Sequence, residues 1–341
     1  MPLHPYEAPR GRRLTFTVDS EALKGNLLGD PHRRRVEVYL PAEAEGAREL
    51  PLLVDLVGYT GSGPKHLAWS AYAESVPQRV DRLIDEGKLG PVAVAFPDCF
   101  TRLGGNQYID SLALGAWERF LCEEMLEVLE AALPLGRGPE HRALFGKSSG
   151  GYGAIVHGMR HADTWGAVAC HSGDMAFELC YLGDFPAILD ALAREPEGIV
   201  GFLRRFEEAR KVSGKDFHIL MGLAMAATYD PDPQAPFGVR LPVTEDTCEL
   251  IPARWEQWLR HDPVRMIEEE AVEANLRALK GLYVDCGSRD QYKLHYGARR
   301  LKQRLDALGI EHRYETFEDD HSGIDYRMDV SLPFLYERLR G

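Results

Sequence analysis

A short apolar run, Ala143-Leu144-Phe145, breaks into Gly146-Lys147-Ser148-Ser149-Gly150-Gly151 and resumes as a helix-like run from Ala154 to Met159. Few folds accept strand, sharp turn and helix in eleven residues with a serine at the centre of G-x-S-x-G. The pattern needs the backbone strained at the serine, which then projects from the end of a strand. The flanking glycines leave room for the turn and for close approach of strand to helix. Ser148 is the expected nucleophile, with a helix N-terminus behind it to favour developing negative charge.

Gly146-Lys147-Ser148-Ser149 also resembles the end of a phosphate-binding loop, G-x-x-x-x-G-K-[ST]. That loop needs a glycine five positions before Gly146, where His141 stands, and residues 142–145 (Arg-Ala-Leu-Phe) read as strand. Gly151-Tyr152-Gly153 is too little for a dinucleotide fingerprint. The charge of the chain narrows matters further. A formal net charge of −13 over 341 residues argues against nucleic-acid or anionic-membrane partners, which call for a basic surface. No apolar run approaches the roughly 20 residues that span a bilayer. The N-terminus lacks the apolar core of a secretory signal. Six cysteines lie scattered without C-x-x-C pairs, so neither a zinc site nor a disulfide framework is expected, and a reducing cytoplasm is the expected setting. The oligomeric state stays open.

Along the chain, residues 1–13 form a polar leader expected to be loosely held. Leu14–Val18 and Arg35–Leu40 alternate as strands with turns between them, an antiparallel start to a sheet. Leu52–Val57 then reads as a central strand buried on both faces, ending in the glycine-rich loop Gly58–Gly63. Helical periodicity follows over Trp69–Ile84, a strand at Val92–Phe96, the loop Pro97–Tyr108 and a helix over about Ala116–Ala132. After the elbow come a strand at Gly166–Cys170 and, late in the chain, strands at Gly281–Cys286 and His312–Phe317. Helices at Tyr292–Leu308 and Leu332–Leu339 complete the alternation. It predicts a mostly parallel sheet wrapped by helices, one domain over 1–341. Residues 175–279 do not alternate. They carry amphipathic segments near Ile188–Leu192, Ile199–Lys211 and Ile251–Leu259, and are expected to form a cap-like helical insertion after the sixth strand, over the strand ends where ligands bind.

A serine at an elbow is inert without a base and a group that orients it. In this class the order is serine, acid, histidine. Asp290, in the turn after Gly281–Cys286, fits the acid; Asp285 competes but lies within the strand. His321, directly after the last strand, fits the base better than His295 in a helix or His312 at a strand start. The backbone N–H groups of Ser149 and Tyr59 are the expected oxyanion donors. His171 and Asp174, at the entry to the insertion, and Tyr108 are candidate substrate contacts. Lys147 reads as a solvated cation.

Together these residues resemble the putative-esterase family of α/β-hydrolases, which includes esterase D-like (S-formylglutathione hydrolase) and enterochelin esterase-like enzymes and the mycolyltransferases. The matching pieces are Val38–Pro41, Leu56–Thr60, Gly146–Gly151, His171–Gly173, Asp285–Asp290 and Asp320–Gly323. The resemblance implies an α/β-hydrolase fold, with Ser148 as nucleophile, Asp290 as acid and His321 as base. Two departures are Lys147, where many relatives carry histidine, and the long insertion. The expected activity is hydrolysis of a small carboxylic ester or thioester through an acyl-enzyme, with no metal or cofactor. Acyl transfer by the same triad is the alternative, and a non-catalytic binding protein of the same fold is a third reading.

Overall fold

The computed structural model describes residues 7–340. Two N-terminal strands, β1 (Arg12–Asp19) and β2 (Arg33–Leu40), pair antiparallel with Arg12 opposite Leu40 and Asp19 opposite Arg33. Six more follow: β3 (Leu52–Leu56), β4 (Ala93–Pro97), β5 (Arg142–Lys147), β6 (Ala167–His171), β7 (Gly281–Gly287) and β8 (Arg313–Phe317). They form one eight-stranded sheet in the order β1-β2-β4-β3-β5-β6-β7-β8, antiparallel as far as the β2–β4 pair and parallel beyond it. The mostly parallel sheet is the one the alternation predicts, and the whole is the α/β-hydrolase architecture that the resemblance implies.

Every residue of β3, β4, β6 and β7 is buried. Successive side chains of a strand face opposite sides, so each strand feeds two cores. Leu52, Val54, Leu56 and Leu144 join one, under the elbow helix Ser149–Arg160; Leu53, Ala143 and Phe145 join the other, under helices Val76–Asp85 and Met328–Arg340. Burial on both faces is why these strands are continuous apolar runs.

Several boundaries differ from the sequence reading. Met1–Tyr6 of the leader lie outside the described residues, but the rest is tied down. The Arg10 N–H donates to Asp81 (2.7 Å), its guanidinium reaches Asp85 (2.8 Å), and β1 already begins at Arg12. The periodicity over Trp69–Ile84 becomes helix only from Val76, while Trp69 and Tyr72 are exposed. Ser75 and Gln78 close a reciprocal capping box there, and Pro77, in the first turn, cannot sit deeper in a helix without losing a hydrogen bond and clashing with the preceding turn. The helix after Tyr292 starts at Leu294, because Lys293 takes a left-handed conformation. The closing helix is longer than expected, Met328–Arg340.

Between β6 and β7 the chain is helical. Phe185–Leu192, Gly198–Glu208 and Pro252–Leu259 match the three amphipathic segments. The longest helix there, Gly214–Tyr229, carries no amphipathic period because it is apolar almost all round, and ten of its residues are buried. The last helix of the segment, Glu270–Ala278, lies on the flank of the sheet. Asn275 donates to the Met159 carbonyl of the elbow helix (2.8 Å), so this part serves as an ordinary crossover and not as a cover over the strand ends. Among the described residues no helix is long and apolar enough to cross a membrane.

Candidate active site

β5 runs directly into the elbow. Ser148 has φ 58° and ψ −125°, a conformation that costs an L-residue energy and that the surroundings must enforce. Its N–H donates to the His171 carbonyl (2.9 Å). The glycines around it are required by contact. A Cβ on Gly146 would lie 2.3 Å from the Leu56 carbonyl oxygen, one on Gly150 1.7 Å from the same oxygen, and one on Gly151 2.7 Å from the His171 oxygen. The helix therefore presses against β3 and β6 at its first turn, with its N-terminus under Ser148.

A cavity of about 300 Å³ opens over Ser148. His321 lines it, and its Nδ1 pairs with Asp290 Oδ2 at 2.7 Å. Asp290 is buried, and its second oxygen accepts from the Tyr292 and Leu294 N–H groups (2.9 and 3.4 Å), so the turn after β7 fixes the carboxylate by its own backbone. The His321 N–H is held by Gln291 (2.9 Å), and Tyr292 meets the imidazole edge-on at 4.9 Å. Serine and histidine thus line one cavity, with the carboxylate bonded to the histidine, at the carboxyl ends of β5, β8 and β7.

Tyr59 lines the same cavity, and Ser149 is the first residue of its helix. Neither backbone N–H donates to an acceptor among the described residues, which suits both to an oxyanion. The Tyr59 side chain turns away, its hydroxyl bonded to the Leu103 carbonyl, so that it fixes the backbone. The Ser149 hydroxyl accepts from Gln107 (3.0 Å), whose amide also reaches Asp174 (3.1 Å).

Of the three candidate substrate contacts, only Asp174 lines the cavity. Burial raises its pKa, against the pull of hydrogen bonds from Gln107 and Tyr181 (2.9 Å). Tyr108 does not reach the cavity: it is buried with its hydroxyl on the Val57 carbonyl (2.5 Å) and its ring against Gly153. The His171 side chain is likewise turned away. The register puts it beside Asp285, with Nδ1 2.7 Å from Asp285 and Nε2 2.8 Å from Ser331. Asp285 also accepts from Tyr283 (2.9 Å) and Arg327 (2.8 Å). Burial alone would raise the Asp285 pKa, but His171 and Arg327 outweigh it and lower it. The two histidine–aspartate pairs therefore separate, one at the cavity and one beneath it.

Sequence reasoning missed a third pair. His66 Nδ1 lies 2.6 Å from Asp55 within β3, and His66 lines the cavity. Burial lowers its pKa, but the Asp55 charge and hydrogen bond raise it overall. An acid in the middle of an otherwise apolar strand was the available signal, since it must find a partner. Tyr181, Phe217 and Met221 from the insertion, Tyr292, and the half-buried Lys147 complete the wall. Away from the cavity, Cys122, His157 and His161 bring potential metal-ligating atoms within 4.8 Å of one another. Each has a protein partner: Trp165 donates to the thiol sulfur (3.4 Å), His157 bonds the Tyr108 carbonyl (2.8 Å) and His161 bonds Glu118 (2.7 Å).

Comparison with known proteins gives the family and the fold. A family described as Putative esterase matches residues 31–331. No curated protein matches the sequence. Similar solved structures include a ferulic acid esterase (20% identity, TM-score 0.63, covering 97% of this chain and 100% of that one). Another is an S-formylglutathione hydrolase from Agrobacterium tumefaciens (15%, 0.59, 98% and 97%). A third is a fluorophosphonate-binding serine hydrolase of Staphylococcus aureus (15%, 0.57, 97% and 99%).

Proposed function

The chain belongs to the putative-esterase family and is an ester-cleaving serine hydrolase, and from that premise we propose that it cleaves a small carboxylic ester or thioester through an acyl-enzyme on Ser148. The observation that carries this reading is the 2.7 Å Asp290–His321 pair on the same cavity as a serine held at φ 58°. Asp290 accepts the Nδ1 proton of His321 and so leaves Nε2 free as the base. As the Ser148 oxygen attacks the acyl carbon, its proton passes to Nε2. The carbonyl oxygen takes up negative charge against the Tyr59 and Ser149 N–H groups and the positive end of the Ser149–Arg160 helix. The imidazolium then returns the proton to the leaving alcohol or thiol. Water, deprotonated by His321, releases the acid by the same steps reversed.

The cavity lies at the low end of the size range for ligand sites and fits a short acyl chain or one aromatic ring. Residues 175–279 supply its far wall through Cys180, Tyr181, Phe217 and Met221, which supports a cap role for the helices that precede Glu270–Ala278. A cytoplasmic setting belongs to the same reading, on the ground that the six cysteines are spaced as independent thiols. The test joins a fluorophosphonate probe with a series of p-nitrophenyl esters of graded chain length. Stoichiometric adduct on Ser148 and turnover of short esters are expected. A protein that turns over esters without labelling at Ser148 would remove the mechanism.

A further inference from the structure

The reaction above leaves Lys147 unused, and its position calls for a partner. Strand alternation puts it on the Phe145 side of the sheet, the side of Asp55, which sits opposite Phe145 in the β3–β5 register. His66, bonded to Asp55, is therefore on the same wall, and Lys65 and Asp325 stand there too. The apolar part of the lining comes chiefly from the insertion, with Phe217 and Met221. One cavity thus holds a charged group of side chains, an apolar group and Ser148.

Half-buried, the Lys147 ammonium takes part in no hydrogen bond or ion pair among the described residues. Burial lowers its pKa and Lys65 adds to that; Asp325, Asp290 and Asp320 act in the opposite direction from beyond ion-pair reach. Lys65 has a single 3.3 Å bond, to Thr60. Two ammonium groups and a histidine held toward its protonated form by Asp55 share the cavity with two carboxylates, Asp325 and Asp174, and Asp174 is already held by Gln107 and Tyr181. A partly desolvated, unpaired ammonium is costly, and the cost falls when an anion with hydrogen-bond acceptors meets it.

We propose that this wall is an anion subsite, in which Lys147, backed by Lys65 and His66, receives a carboxylate carried by the ester substrate while the apolar remainder lies against Phe217 and Met221. The substrate class is then the half-ester or the carboxylated alkyl or aryl ester, in place of simple neutral esters. This inference rests on the ester-cleaving reading, and the test separates the two. Two matched pairs are assayed: 4-nitrophenyl hydrogen adipate against its methyl-capped diester for the acyl side, and 3-carboxyphenyl butyrate against its methyl ester for the alcohol side. In one pair the free acid should be favoured in kcat/KM by about tenfold or more, the range of a charge-assisted hydrogen bond. The preference should vanish in Lys147→Met, persist in part in Lys147→Arg, drop severalfold in Lys65→Met, and shrink as salt is raised. Turnover of the capped esters with no acid preference in either pair, or a preference unchanged in Lys147→Met, overturns the subsite. Failure to hydrolyse any ester or to label Ser148 overturns the ester-cleaving reading itself, and the subsite with it.

Discussion

Asp285 and Asp290 stand five residues apart, each bonded to a histidine at 2.7 Å, yet their removal should damage different properties. Asp285 is fully buried and accepts from His171, Tyr283 and Arg327, and Arg327 in turn pairs with Glu315. Asp285→Asn deletes the charge that holds Arg327 and turns an amide N–H toward at least one of three donors. Breaking a buried pair of this kind costs about 3–5 kcal/mol, or roughly 4–7 °C in Tm for a chain of this size. None of these partners lines the cavity, so kcat of the folded variant should stay within about threefold of wild type. Asp290→Asn keeps an oxygen for the Tyr292 and Leu294 N–H groups but no longer favours the working tautomer of His321. There kcat should fall by about 10⁴ with Tm nearly unchanged. The pH dependence gives an internal check. Because the folded-state pKa of Asp285 is lowered, its stabilisation is present above the ordinary carboxylate value of 3.8 and is lost as pH falls through the folded value. The Tm gap between wild type and Asp285→Asn should therefore close only in that acid range. Thermal melts by circular dichroism and ester kinetics on both variants decide it. If folded Asp285→Asn loses activity as Asp290→Asn does, or melts like wild type, the assignment of one pair to structure and one to chemistry is wrong.

Three further outcomes follow from the same geometry. Ser148→Ala should lose fluorophosphonate labelling entirely, whereas Ser149→Ala, which gives up only the Gln107 contact and keeps its backbone N–H, should still be labelled; peptide mapping by mass spectrometry reads this directly. Phe217→Ala should move the chain-length optimum of p-nitrophenyl esters to longer acyl groups, changing the ratio of long to short kcat/KM by about tenfold; an unchanged profile would take the insertion out of specificity. Burial lowers the His157 pKa from its ordinary 6.5 to about 4, with Glu118 opposing, so the unfolded chain binds more protons between those values. Stability should fall as pH drops through that window, and less steeply in His157→Asn; parallel Tm profiles for the two proteins would refute this.

Local chemistry makes the elbow and the proposed acid and base legible in the sequence. G-x-S-x-G admits one kind of turn, because a Cβ at Gly146 or Gly150 would collide with the Leu56 carbonyl, and the buried strands β3 and β7 announce themselves as apolar runs that end at glycine. Asp290 can be named because it lies in the turn after such a run, and His321 because it follows the alternating strand Arg313–Phe317. What the sequence could not decide was direction across the sheet and distance through space. His171 follows a strand as the candidate residues do, but register with Asp285 turns it beneath the cavity; Tyr108 belongs to a loop over the site, but its hydroxyl is spent on Val57. Helix Gly214–Tyr229 gave no periodic signal because it is enclosed on nearly every side, and it is this helix that brings Phe217 and Met221 to Ser148. Lys147 looked like a solvated surface charge for the same reason. Only the packing of β3, β5 and the Ile324–Arg327 turn around it reveals a half-buried ammonium at the mouth of the reaction. Nearest-neighbour sterics fixes a turn within a few residues, whereas burial and pairing depend on segments brought together from across the chain.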